Sequence, residues 1–350
     1  MNGLSLFANV GIGETYLHKN NINIKVANEL LEKRCDIYKY NNKKTNIIHG
    51  DISDNSVFEK VMDSALKHKC EFIIATPPCQ GMSVAGQRKH NDNRNDLITY
   101  VVNAIERINP KYILIENVPQ IEKTKINIDH QKVLIMDYLK KSLNNYKINY
   151  KVLNSADYGT AQSRKRMFIL LSRNDVPEWT FQLVKKDVLT LKDKIGHLPS
   201  LKAGESSGIK YHYAIEHNPE HIRWMSHTPS GKTAIDNKIN YPEKDGRRIK
   251  SYRSTYRRLR WDKPASTITM KSHFISSQNN VHPGKKLEDG TYSDARALTP
   301  LELILLTGLP AKWSVPEWVS DLLLREVIGE AVPPLLIYEC HIGMASESEK

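Results

Sequence analysis

Over its first 172 residues the chain alternates short apolar runs with longer amphipathic stretches, and few folds accept that rhythm. The runs fall at 4–8, 24–27, 46–49, 72–75, 112–115, 149–153 and 167–171, each of a length suited to one strand. Helices are expected in most of the gaps. Residues 55–67 show why, since Val57, Val61, Met62 and Ala65 recur on one side of a helix and Asp54 stands where a cap belongs. Strands separated by helical stretches make βα units, so the expected fold class is α/β, a doubly wound, mainly parallel sheet.

After Arg173 the texture changes. Pro, Gly, His, Ser and basic residues multiply, and residues 198–246 show few clear elements. Apolar periodicity returns at 299–306 and 322–328, and the pair Pro333-Pro334 is placed to open a last helix through Leu335, Leu336 and Ile337. The expected organisation is a first domain at 1–172, a smaller irregular domain at 173–300, and a return to the first domain at 301–350.

The charge balance narrows the partners. Lys plus Arg number 51 against 39 for Asp plus Glu, a net +12, which suits a polyanion; a basic surface kept for solubility is the alternative. The four cysteines, Cys35, Cys70, Cys79 and Cys340, form no CxxC pair and no Cys/His cluster, so no metal is expected and a reducing compartment is. No apolar run approaches the roughly 20 residues a bilayer demands, so no membrane partner is expected. Asn2, Gly3 and Ser5 interrupt any export leader, so a cytoplasmic location is expected.

Five places carry chemistry. Strand 4–8 runs into Phe7-Ala8-Asn9-Val10-Gly11-Ile12-Gly13 with a helical-looking Glu14 to Leu17 behind it; such a turn lets a cofactor approach the backbone, and also serves as an ordinary tight turn. Glu29 and Asp51 follow the second and third strands, where carboxylates accept hydrogen bonds from a nucleoside or simply cap a helix. Strand 72–75 ends in Thr76-Pro77-Pro78-Cys79-Gln80, so two prolines deliver a thiol on a stiff stem. The polar segment 86–95 behind it suits closure over a substrate. Strand 112–115 ends in Glu116-Asn117-Val118, and apolar walls beside Glu116 would favour its protonated form, as a general acid needs. Arg164 and Arg166, entering strand 167–171 at alternate positions, are expected to reach one site together.

Taken in order, FxxxGxG from Phe7, PPCQ from Pro77, ENV from Glu116, QSRKR from Gln162 and GEAVPP from Gly329 resemble the DNA (cytosine-5) methyltransferases that use S-adenosylmethionine. The resemblance spans nearly the whole chain. It implies the Rossmann-like fold of class I S-adenosylmethionine-dependent methyltransferases, with residues 1–172 catalytic, 173–300 recognising the target and 301–350 returning to the cofactor side. By position, Phe7, Asn9, Val10, Gly11 and Gly13 would contact the cofactor, with Glu29 on its ribose and Asp51 and Ile52 near its adenine. Pro78, Glu330, Ala331 and Val332 would complete that pocket. Cys79 would be the nucleophile, Glu116 would grip the target cytosine, and Arg164 and Arg166 would orient both. Asn9 and Ile12 stand where the family commonly has glycine, and Glu330 where asparagine is frequent.

The implied reaction transfers a methyl group to carbon 5 of a cytosine swung out of duplex DNA, through a Cys79 adduct at carbon 6, and leaves S-adenosyl-L-homocysteine. The expected grip on DNA comes from Ser83, Arg88 and Arg94 after the cysteine. Arg247, Arg248, Arg253, Tyr256, Arg257 and Arg258, in the run GRRIKSYRSTYRRLRWDK, would add to it. A monomer protecting bacterial or phage-borne DNA beside a separate restriction endonuclease is the implied setting. The alternatives are a cytosine-5 methyltransferase acting on RNA, a catalytically silent cofactor-binding regulator, or a nicotinamide oxidoreductase. The last has no use for Pro78-Cys79 or for the basic insert.

Overall fold

The computed structural model describes residues 1–78, 96–249 and 253–344. Strands β1 (Asn2–Leu6), β2 (Asn23–Glu29), β3 (Asn46–His49), β4 (Phe72–Ala75) and β5 (Tyr112–Asn117) run parallel. Next come a small hairpin, β6 (Lys125–Ile128) and β7 (Gln131–Leu134), and two long strands, β8 (Tyr146–Asn154) and β9 (Lys165–Arg173). The main sheet has seven strands in the order β3-β2-β1-β4-β5-β9-β8, with β9 antiparallel to both neighbours. Every residue of β4 and β5 is buried, as a strand covered on both faces must be, which is why 72–75 and 112–115 read as unbroken apolar runs.

From β1 the chain steps outward to β2 and β3, then returns to β4 on the other side of β1. That reversal is a topological switch point, and in doubly wound sheets ligands bind outside the strand ends there. The register aligns Leu6 with Ala75 and Ala75 with Ile115, so the segments leaving β1, β4 and β5 emerge side by side.

Helices α1 (Glu32–Asn41), α2 (Asn55–Lys67), α3 (Leu97–Ile108) and α4 (Ile135–Ser142) fill the gaps. Asp54 caps α2 by accepting a hydrogen bond from the Ser56 amide at 2.7 Å, and Val61, Met62 and Ala65 are its buried face. The helix expected from Glu14 is absent: turns lead only to a short 3-10 turn at Leu17–Asn20.

The chain divides into two units. One has the bounds Met1–Asn154, Lys165–Val184 and Ile337 onward, the other Ser155–Arg164 and Lys185–Leu336. The divisions between these units fall at 154, 164, 184 and 336. The second unit carries α5 (Leu191–Ile195), α6 (Pro219–Ser226), a hairpin of β10 (Glu243–Lys244) and β11 (Arg247–Arg248), α7 (Pro300–Thr307) and α8 (Asp321–Glu330). Buried polar bonds explain why 301–336 groups here. Arg296 grips both carboxylate oxygens of Glu302 at 2.9 Å, and Arg325 donates to the Leu298 carbonyl at 2.7 Å. Burial alone would raise Glu302, but the Arg296 guanidinium holds its carboxyl well below the usual range.

Helix α9 (Pro334–Cys340) opens at the second proline of the pair, as expected. In the sheet unit, Trp179 donates its indole N–H to the Cys340 carbonyl at 2.9 Å, and His341 packs against Phe72 and Trp179.

Candidate active site

The loop after β1 is shaped by left-handed backbone. Phe7 and Asn9 have φ of 58° and 50°, and Gly11 of 78°. For an aromatic residue this conformation stores strain, which concentrates at ligand sites. Asparagine tolerates it, so Asn9 can stand where the family commonly has glycine. At Gly11 a Cβ would fall 2.6 Å from Asn42 Nδ2, and at Gly13 one would fall 2.8 Å from Ile337 Cδ1, so neither position accepts a larger residue without movement.

Glu29 ends β2, and its carboxylate accepts the Asn9 amide at 2.9 Å and the Leu31 amide at 3.1 Å. It thus ties the β1 loop to the end of β2. Asp51, at the end of β3, is exposed and accepts from the Ser53 amide and hydroxyl at 2.9 and 2.7 Å. Ile52 and Val10 are buried at 3% and 1% exposure, so they shape the site from within the core. This set, a strained loop flanked by two acceptors at adjacent strand ends, fits a nucleoside-bearing cofactor at the switch point.

Sequence reading overlooked Glu14. Ser5 and Tyr38 both donate to its carboxylate. Desolvation outweighs those two bonds and pushes its pKa up to about 7. Both partners are remote or unremarkable in sequence, so no local signal marked it.

The stem leaving β4 is braced at both sides. Thr76 donates its hydroxyl to the Phe7 carbonyl at 3.0 Å, and Asn117 Nδ2 donates to the Pro77 carbonyl at 3.1 Å. Asn117, the middle residue of ENV, also accepts the Val118 amide at 2.8 Å and so joins the two strand ends. Cys79, Ser83, Arg88 and Arg94 lie outside the described residues.

Glu116 is 6% exposed, and Arg166 Nε lies 3.0 Å from its Oε1. Their pairing follows from the register. Glu116 faces Phe168 across the β5–β9 ladder, which puts Arg166 on the diagonal of the same face. The surroundings are thus not only the apolar walls read from the sequence, since an opposite charge touches the carboxylate. Arg164 goes elsewhere. Its guanidinium donates to the carbonyls of Ile268 (2.9 Å), Gly329 (3.0 Å) and Glu330 (2.9 Å) in the second unit. Gly329 allows this shelf, because a Cβ there would lie 2.5 Å from the Thr269 carbonyl carbon. Glu330 ends α8, and Ala331 and Val332 after it are buried.

The basic run sorts into anchors and exposed groups. Arg258, expected on DNA, is wholly buried: it donates to the carbonyls of Met225, His282 and Asp294, and burial lowers its pKa to about 10. Tyr256, also expected on DNA, is 9% exposed and lies edge-on to Trp224 and His221 in the core. Both are corrected to structural residues, because their polar or aromatic surface is already used inside the unit. Arg257 is half-buried and donates to the Arg253 carbonyl, while Arg247, Arg248 and Arg253 are exposed. No helix among the described residues is long and apolar enough to cross a membrane.

Comparison with known proteins gives a consistent picture. The model of the C-5 cytosine-specific DNA methylase family matches residues 1–343. The chain is 48% identical over 344 residues to the Type II methyltransferase M1.HgaI of Avibacterium volantium, covering 96% of this chain and 95% of that one. It is 31% identical to the Type II methyltransferase M1.HphI of Haemophilus parahaemolyticus, over 86% of this chain and 75% of the other. Among solved structures, a putative DNA modification methyltransferase from an E. coli prophage superposes with a TM-score of 0.69 at 19% identity, covering 98% of each chain. At that identity it speaks for the fold alone.

Proposed function

The chain belongs to the C-5 cytosine-specific DNA methylase family, and from that premise we propose a division of labour among its residues. It is a DNA (cytosine-5) methyltransferase of the kind found in Type II restriction-modification systems, and its family implies use of S-adenosylmethionine. When bound, that cofactor supplies a methyl group on a sulfonium.

Cytosine carbon 5 is too electron-poor to accept a methyl group directly. Cys79, as thiolate, adds to carbon 6, and the electron density released makes carbon 5 nucleophilic. Glu116, in its protonated form, gives its proton toward ring nitrogen 3 and accepts from the neighbouring amine, which neutralises the charge that thiolate addition puts on the ring; it takes the proton back when the adduct collapses. Arg166, already paired with Glu116, fixes the carboxyl group, and Arg164 holds the carbonyl shelf of the second unit. After methyl transfer a base removes the carbon-5 proton, the carbon–sulfur bond breaks, and the thiolate is regenerated. Phe7, the Asn9–Gly13 loop, Glu29, Asp51, Ile52 and Pro78 hold the cofactor, with Glu330, Ala331 and Val332 from the end of α8. Residues 1–172 serve catalysis and 173–300 read the target.

The observation that carries this reading is the Glu116–Arg166 pair beside the Asn117–Pro77 brace, one residue short of Pro78-Cys79. Such a brace is of use to a stem that must present a side chain accurately. The setting we infer is a monomer in a bacterial or phage-infected cytoplasm that protects DNA from a cognate endonuclease.

Bisulfite sequencing of DNA from a methylation-free host expressing the protein should reveal methylcytosine at one short sequence. Cys79→Ala should reduce methylation to background, on the order of 10⁴-fold or more for a lost nucleophile, while DNA binding persists. An oligonucleotide with 5-fluorocytosine at the target should trap a covalent adduct with the parent protein only. Turnover by the alanine variant would overturn the assignment of the nucleophile.

A further inference from the structure

The β10–β11 hairpin has two unlike faces. Its turn residues, Asp245 and Gly246, both have positive φ, 52° and 70°, the geometry of a tight type I′ connection. The register pairs Glu243 with Arg248 and Lys244 with Arg247. Because side chains alternate along a strand, the first pair shares one face and the second pair the other.

The Glu243/Arg248 face is fastened to the unit. The Arg248 guanidinium stacks 3.8 Å over the Tyr241 ring and donates to the Asn237 carbonyl. Asn237 itself bonds the Trp224 carbonyl and the Thr228 hydroxyl, next to the small hydrophobic core of the unit. Glu243 lies 3.8 Å from Arg223 of α6.

The other face is different. Lys244 and Arg247 are both exposed and sit directly opposite each other, and among the described residues neither has an ion-pair partner. Like charges placed across a ladder destabilise it. A hairpin anchored so firmly on one side yet carrying repulsion on the other is a surface shaped for something outside the protein. Any Cβ at Gly246 would meet open space, so the tip can approach a large partner.

We propose that Lys244 and Arg247 form a two-cation clamp for the phosphate backbone of duplex DNA, with Arg248 as the anchor that holds the clamp in place. The proposal rests on the reading above that DNA is the substrate. It adds Lys244 to the contacts and removes Arg248 from them.

The test is equilibrium binding of labelled duplexes, one containing the sequence mapped by bisulfite and one scrambled, from about 50 to about 200 mM salt. The Lys244→Ala/Arg247→Ala double variant should lose about two units from the slope of log affinity against log salt. It should weaken on both duplexes by a similar factor, on the order of tenfold or more. Lys244→Glu turns repulsion into an ion pair, so it should melt at or above the parent temperature while binding DNA less well. An unchanged salt slope overturns the clamp. So does a loss confined to the mapped duplex, which would make the pair base readers. Methylation by the parent protein is scored separately: its absence would sink the reading of function, whereas parent methylation with an unaltered variant slope would sink only the clamp.

Discussion

At Glu14, desolvation holds the carboxyl near neutrality, and charging it works against folding. Its pKa moves from 4.5 to about 7, so the stabilisation present below about 4.5 is lost as pH rises toward 7. Glu14→Gln keeps one acceptor oxygen for one of the hydroxyls of Ser5 and Tyr38 and offers its N–H to the other, without the charge. The variant should therefore melt above the parent near pH 8 and level with it near pH 5, as thermal denaturation across that range will read. The residue was illegible in sequence because its partners, Ser5 and Tyr38, meet it only through the fold. Arg258 illustrates the opposite failing: in a run rich in arginine, the one that is wholly buried looks like its exposed neighbours. By contrast Glu116 was readable, since a carboxylate closing an Ile-Leu-Ile run must lie at a strand end.

Elements were legible where one local rule acted alone. Helix α2 declared itself by apolar spacing and by Asp54, and Asp54→Ala should shift the urea midpoint to lower concentration, because the Ser56 amide loses its cap. The seven strands of the sheet were marked by apolar runs. Hairpin β6–β7 was not, because its turn uses Asp129 and His130 at φ of 48° and 65° in place of the Asn-Gly that would have announced it. The segment after Gly13 looked helical yet forms turns, since the strained loop before it and the bonds of Glu14 fix the backbone otherwise.

For the whole molecule, acid should be the sensitive direction. Burial lowers His217, His282 and His341 from 6.5 to about 4, so the fold keeps these rings neutral while the unfolded chain would protonate them. The stability this provides is complete above 6.5 and is lost as pH falls through about 4. Melting temperature should drop steeply across that window, and His341→Phe, which needs no proton and keeps the aromatic packing on Phe72 and Trp179, should flatten part of the drop. Sequence texture marks a change near Arg173, inside the stretch Lys165–Val184 that groups with the sheet. Residues 299–306 and 322–328 look like ordinary amphipathic helix, and only the burial of Arg296, Glu302 and Arg325 shows which unit they complete.

Between β8 and β9 the chain makes a brief excursion, Ser155–Arg164, that belongs to the second unit although both flanking strands belong to the sheet. Anyone transplanting sequence preference from one relative to another must therefore carry two separate stretches of polypeptide. A chimera that swaps only the long insert would seat a foreign module on a native strip, with Arg164 reaching for carbonyls that the donor has arranged for its own counterpart.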